Sequence, residues 1–148
     1  TAHEWASVRL VVRQTARVPV AALSDGGAFR NSLLAGFDDA DYPAAFLVAY
    51  LNSTPVRWLH YVRHRDARQG MPQLKIAHLR ATPEPPSRAL VADLAALGER
   101  FSEGAKGLRE PEHAELDALV AAAFDLSIEE RRRLADFRAS VADARARA

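Results

Sequence analysis

Between Arg57 and Arg80 the sequence sets six bases, Arg57, Arg63, Arg65, Arg68, Lys75 and Arg80, against one acid, Asp66, a local net charge of +5. His60, His64 and His78 add hydrogen-bond donors to the same stretch. Cationic groups at this density suit phosphate oxygens, and some can read base edges: arginine or lysine pairs with O6 and N7 of guanine, and glutamine pairs bidentately with adenine. The alternative is a solvated basic loop, because a chain with twenty bases clusters some by chance. Trp58 and Tyr61 interleave with the bases as stacking platforms would. Their spacing of three is equally that of a packed helix face, and core packing is the expectation.

Other chemistries are harder to assemble. A chain without cysteine has no thiol nucleophile, redox dithiol, cysteine zinc knuckle or iron–sulfur ligation. It also lacks a glycine-rich dinucleotide fingerprint, a Walker loop, a metalloprotease histidine pair with its glutamate, and a nucleophile elbow. Four-residue spacing puts His60 and His64 on one helix face, but no motif brings a carboxylate or a further ligand to them, so no metal is expected. Asp38, Asp39 and Asp41 are explained by the preference of helix N-termini for acids. Asp66 reads as an ion-pair partner of the arginines around it. Arg131 to Arg133, beside Glu129 and Glu130, read as solvated helix surface. A small hydrolase would need Asp38, Asp41 and histidines in one cleft; no catalytic residue is assigned.

The elements that must position the basic segment follow from periodicity and punctuation. Residues 8–13, VRLVVR, and 17–23, RVPVAAL, favour strands, the second at an edge or with an irregular start because Pro19 cannot donate to a ladder. Ser24-Asp25-Gly26-Gly27 supplies a turn, and a third strand is expected over residues 29–34. Asp38 to Pro43 starts a helix that runs through AAFLVAYLN and is apolar on more than one side. Thr54 can cap, and Pro55 begin, a second helix with Val56, Leu59, Tyr61 and Val62 against Arg57, His60 and Arg63. A loop over residues 65–72 precedes a brief strand or turn and a short helix near residues 73–79.

The prolines of residues 81–86 interrupt regular structure. Beyond them, helices are expected over residues 87–104 with a Ser87 cap, over 111–124, and over 127–144 with the capping-box pattern Ser127 to Glu130. Asp125-Leu126 should make the corner. The fold class is therefore α+β: a small antiparallel sheet with packed helices and a helical tail. Residues 1–86 form the front segment and 87–148 a supporting region packed on it.

At 148 residues, 49% hydrophobic and with a net charge of +1, the chain suits one soluble unit that buries its own core. No window approaches a membrane span, and no export signal is expected, so the expected compartment is the cytoplasm. The near-neutral total hides the distribution: residues 1–56 carry four arginines against five acids, and 83–148 ten bases against thirteen acids. The first residue, Thr1, is not an initiator methionine, which suits a piece of something larger.

Residues 51–86, LNSTPVRWLHYVRHRDARQGMPQLKIAHLRATPEPP, carry a resemblance. The order of Leu51-Asn52-Ser53, an aromatic and basic helix and loop over 58–68, Gln73-Leu74-Lys75, and an apolar stretch ending at paired prolines is similar to the C-terminal target-recognition region of TaqI-like DNA adenine-N6 methyltransferases. It also resembles that region in fused type IIG restriction–modification enzymes. Upstream, LVVRQTARVPVAA over 10–22 resembles the family's strand pair containing Arg-Gln. Downstream, Leu116-Asp117-Ala118-Leu119-Val120 and then Phe124 to Glu130 resemble its terminal helical signature, with Phe124-Asp125 where the family often has Tyr-Gly. The similar pieces cover most of residues 8–133.

The resemblance implies a specificity fragment that binds double-stranded DNA and has no activity of its own. Its parent would be an S-adenosylmethionine-dependent methyltransferase, possibly fused to an endonuclease. The cofactor site and the Asn-Pro-Pro-Tyr/Phe motif would lie in a methyltransferase domain of the same polypeptide. Within the fragment, Arg65, Arg68, Gln69 and Gln73 are the base-reading candidates; Arg57, Arg63, Lys75 and Arg80 are the phosphate candidates; Arg13 and Gln14 form a second contact group. The competing expectation is a helical docking module whose tail, around Leu90 to Phe101 and Leu116 to Phe124, packs on a protein partner.

Overall fold

A computed structural model of the chain describes residues 2–27, 32–64, 70–102 and 110–146. After a short helix α1 (Ala2–Ala6), three strands, β1 (Leu10–Arg13), β2 (Ala21–Leu23) and β3 (Leu33–Gly36), form an antiparallel sheet in the order β2-β1-β3. Central β1 buries Leu10 and Val12 and exposes Arg13, the alternation a half-covered strand requires. Val11 pairs with Ala22 on one side and Ala35 on the other. Pro19 precedes β2, an edge strand, so its missing N–H costs no ladder bond. The Ser24 hydroxyl accepts from the Gly26 N–H at 3.2 Å and Asp25 Oδ1 accepts from Gly27 at 3.2 Å, which closes the expected turn. The third strand runs on to Gly36, past its expected end at Leu34, and its register sets Gly36 opposite Leu10, where a Cβ would collide with the Leu10 side chain. Residues 29–31 of the expected strand lie outside the described residues.

Helix α2 (Ala44–Asn52) buries eight of its nine residues. Its N-terminus is held by the acids before it: Asp38 Oδ1 accepts from the Ala44 N–H at 2.9 Å, and Asp39 Oδ1 from Asp41 and Tyr42 at 2.8 and 3.2 Å. Pro43 occupies the cap rather than the first helical position. Helix α3 (Thr54–Arg63) follows after one residue, Ser53, which takes the cap position expected of Thr54. The Thr54 hydroxyl instead donates to Asp117, whose other oxygen accepts from the Thr54 N–H at 2.8 Å.

After α4 (Ile76–Arg80) come α5 (Arg88–Ser102), α6 (Glu110–Ala123) and α7 (Ile128–Ala146). Local signals set their ends. Ser87 Oγ accepts from the Leu90 N–H at 3.2 Å. At α7, Glu130 N–H donates to Ser127 Oγ at 3.2 Å while Glu130 Oε2 accepts from the Ser127 N–H at 2.7 Å, a reciprocal capping box whose Ser127 donors hold the Glu130 carboxyl below its ordinary range. The corner before it has Asp125 at φ 57°, with Leu126 N–H bonded to Ala121 O and Asp125 N–H to Ala122 O, the Schellman pattern.

One core joins sheet and helices: Leu10 and Val12 from β1, Phe46 and Val48 from α2, Leu74, Leu94 from α5, and Leu116 and Val120 from α6 belong to a single cluster. The front segment and the tail thus share it. Among the described residues no helix is long and apolar enough to cross a membrane. Helix α5 lies so close to α2 that a Cβ on Gly98 would overlap the Ala45 carbonyl oxygen, which is rigid backbone. Gly98→Ala is therefore expected to lower unfolding stability by about 1–3 kcal/mol despite alanine's better helix propensity. Denaturant melts read the difference directly.

Candidate functional site

The end of β1 and the segment before α4 are joined across the sequence. Thr15 and Gln73 form an antiparallel bridge, the Leu74 N–H donates to Gln14 O at 2.7 Å, and Gln73 Nε2 lies 3.4 Å from Thr15 Oγ1. Leu74 anchors the joint because its side chain is fully buried. Its neighbours Gln73 and Lys75 are then left half-buried and exposed, beside half-buried Gln14 and exposed Arg13. Two contact groups that the sequence keeps apart meet at one edge. Exposed Arg17, on the turn after Thr15, adds a cation to this edge that no sequence pattern points to, since nothing among its immediate neighbours marks it.

The remaining bases divide by position. Arg57, expected as a phosphate contact, is engaged within the fold: its Nε donates to Pro19 O at 2.9 Å and its Nη2 to Asn52 Oδ1 at 2.7 Å. Those acceptors lie inside the joint between β2 and α2, so the guanidinium turns inward. Arg63 is exposed and gives Nη1 to Ala81 O at 2.8 Å, while Arg80 is exposed on α4. Arg65, Arg68 and Gln69 lie outside the described residues.

The face of α3 expected to carry charge instead brings His60 inside. Its side chain is buried, with the His64 ring centroid 4.9 Å away and the His78 centroid, from α4, 5.6 Å away. His64 and His78 stack at 4.1 Å. Burial first, and then the two neighbouring imidazoles, push the His60 pKa down from 6.5 to about 4. Among the described residues no group of His, Asp and Glu is arranged to hold a metal ion.

The aromatics of α3 part company. Tyr61 is half-buried with its ring 5.4 Å from that of Phe137 on α7, whereas Trp58 is 40% exposed, which corrects its expected core packing. With Pro55, Leu59, Pro83, Phe124 and Leu134, Trp58 lines an apolar cavity of about 400 Å³. The Tyr50 hydroxyl at this cavity donates to Pro83 O at 2.9 Å, and burial, with Tyr42 nearby, pushes its pKa up to about 12. The three acids before α2 are spent on its N-terminus and on Arg9 and Arg88, at 3.8 Å from Asp38 and 3.1 Å from Asp41.

No family model, no curated protein and no solved structure matches this chain.

Two arginine substitutions that look alike in the sequence should therefore differ in the fold. Arg57→Ala leaves Pro19 O and Asn52 Oδ1 short of a donor and is expected to cost about 1–3 kcal/mol of stability. Arg80→Ala should stay within about 0.5 kcal/mol of the parent. Thermal unfolding of the two variants side by side measures the contrast.

Proposed function

We propose that this chain is a sequence-specific double-stranded DNA recognition unit belonging to a cytoplasmic DNA adenine-N6 methyltransferase or fused restriction–modification enzyme. The observation that carries the reading is the Thr15–Gln73 bridge, which gathers Arg13, Gln14, Gln73 and Lys75 at one edge of the fold. Arg63, Lys75 and Arg80 would hold phosphates, with Arg13 as a further contact, and Gln73 with Arg65, Arg68 and Gln69 would read bases. Phosphate contacts set register and base contacts set preference, so both kinds are needed on one surface.

The spatial meeting of the segments that carry the family resemblance adds support. Asn52 bonds to Ala21 of the upstream strand pair, Arg57 to Pro19, and Thr54 to Asp117 of the downstream signature. Under this reading the chain contributes no catalytic residue. S-adenosylmethionine, the extruded adenine and the methyl transfer belong to the methyltransferase domain of the parent polypeptide.

The cavity beside exposed Trp58 favours a second reading, a docking module for a protein partner. Of the tail's apolar stripes Phe124 adds to it, whereas Leu90, Leu94, Leu97, Leu116 and Val120 are buried in the chain's own core.

Fluorescence anisotropy of the full chain with a random-sequence duplex, across a salt series, tests the DNA reading. Lys75→Ala/Arg80→Ala should weaken binding and flatten the log–log salt slope by about 0.9 for each phosphate no longer neutralised. Trp58→Ala should change neither. Salt-insensitive binding, or binding that ignores the double variant, would sink the proposal.

A further inference from the structure

Residues 75–86 form a strap with little core of its own. Helix α4 within it has no buried residue, and Ile76 is 52% exposed. Besides Leu79, which packs against the core, the strap is held to α2 and α3 by the Tyr50 hydroxyl on Pro83 O, Arg63 Nη1 on Ala81 O, and the packing of His78 on His60 and His64. Tyr50 and Pro83 also line both the 400 Å³ cavity and a second apolar one of about 370 Å³, next to Ile76 and Leu79. A strap so fastened depends on its pins.

We propose that His60, His64 and His78 form an acid-sensitive latch, which holds the strap on α3 when the imidazoles are neutral and releases it when they take up protons. The geometry supplies three reasons. His78 Nδ1 accepts the Lys75 N–H at 3.2 Å, so a proton there would set donor against donor at the start of α4. The stacked His64 and His78 rings, 4.1 Å apart, would become two like charges in contact. His60 is buried and gains no hydration on charging while the strap is closed.

Every other charged residue of α3 and α4, Arg57, Arg63 and Arg80, is basic, as is Lys75 at the start of the strap. The hairpin bridged to the strap brings Arg13 and Arg17. Three acids on the packed elements are committed elsewhere: Asp117 of α6 to Thr54 and Arg138, Glu129 of α7 to Arg132 and Arg133, and Glu130 to Ser127. Tyr50 of α2 stays neutral across the acid range. Asp93 and Glu99 of α5, Glu110, Glu112 and Glu115 of α6, and Asp136 and Asp143 of α7 complete the acids on these elements, and Glu84 is the strap's own acid. Asp66 lies outside the described residues. His60, held down to about 4 in the closed state, returns to the ordinary imidazole value near 6.5 once exposed, so the open state binds more protons than the closed one. The latch is thus fully closed above about pH 6.5 and opens as the pH falls from there toward 4.

Amide NMR of the full chain between pH 7.5 and 4.5 tests this without DNA. The amides of Leu79, Ala81 and Thr82 should move to unstructured shifts inside that window while those of α2 and α5 stay dispersed. In His64→Gln/His78→Gln, where the amide oxygen of the glutamine replacing His78 can still accept the Lys75 N–H, the midpoint should drop by at least one pH unit. Proton titration of the three imidazoles in the unsubstituted chain, coincident with the strap transition, gives the same answer should the double variant fail to fold. Strap amides unmoved to pH 4.5, loss of α2 and α5 in the same step, or imidazoles that titrate without the strap would overturn the latch.

Discussion

The chain break between α2 and α3 is the constraint on which the rest of the fold depends. Asn52, Ser53 and Thr54 are polar, consecutive and buried, with exposures of 5, 0 and 3%. A buried helix end has orphan N–H and C=O groups that must find partners in the protein. Asn52 meets this by gripping β2: its Nδ2 donates to Ala21 O and Val48 O, and its Oδ1 accepts from the Ala21 N–H and Arg57. Ser53 donates back to Tyr50 O. Asp117 reaches over from α6 to take both Thr54 donors, and Arg138 of α7, 3.0 Å from the same carboxylate, balances its charge. Satisfying one interruption fixes β2, α2, α3, α6 and α7 in relation to one another.

That joint also decides which cation of α3 turns inward. Arg57 sits one turn into α3, where the unsatisfied acceptors are nearest, and is drawn inward. Arg13, Lys75 and Arg80 lie beyond the reach of the joint, on the rim where β1 meets the segment from α4, and stay exposed. The strap continues this rim. Leu79 is its contribution to the core, and polar pins and three imidazoles supply the rest of its attachment, so the basic edge is anchored more deeply on β1 than on α4.

Much of this is legible in the sequence where the signal is local. The Ser127 to Glu130 box, the Ser87 cap, the Asp125 corner and the acids before α2 each act within a few residues, and the α+β class follows from strand-like and helical stretches in order. The misses have a common cause. Arg57, Trp58 and His60 share one short helix, and which of them faces inward is set by Pro19, Asn52 and His78, none of which a local pattern brings near. Alternation marks the first strand but not the far end of the third, where Gly36 makes room for Leu10. The Thr15–Gln73 bridge is likewise invisible to spacing, though the residues on either side of it stand out in the sequence separately.

Whether the edge where β1 meets residues 73–80 is a DNA-binding surface is tested most directly by a chemical-shift map of the isotope-labelled chain with a random-sequence duplex at low salt. The expected result is a set of shifts concentrated at Arg13 to Thr15, Arg63 and Gln73 to Arg80, reversed by added salt. Shifts gathered instead around Trp58, Phe124 and Leu134, or none at any duplex concentration, would contradict it.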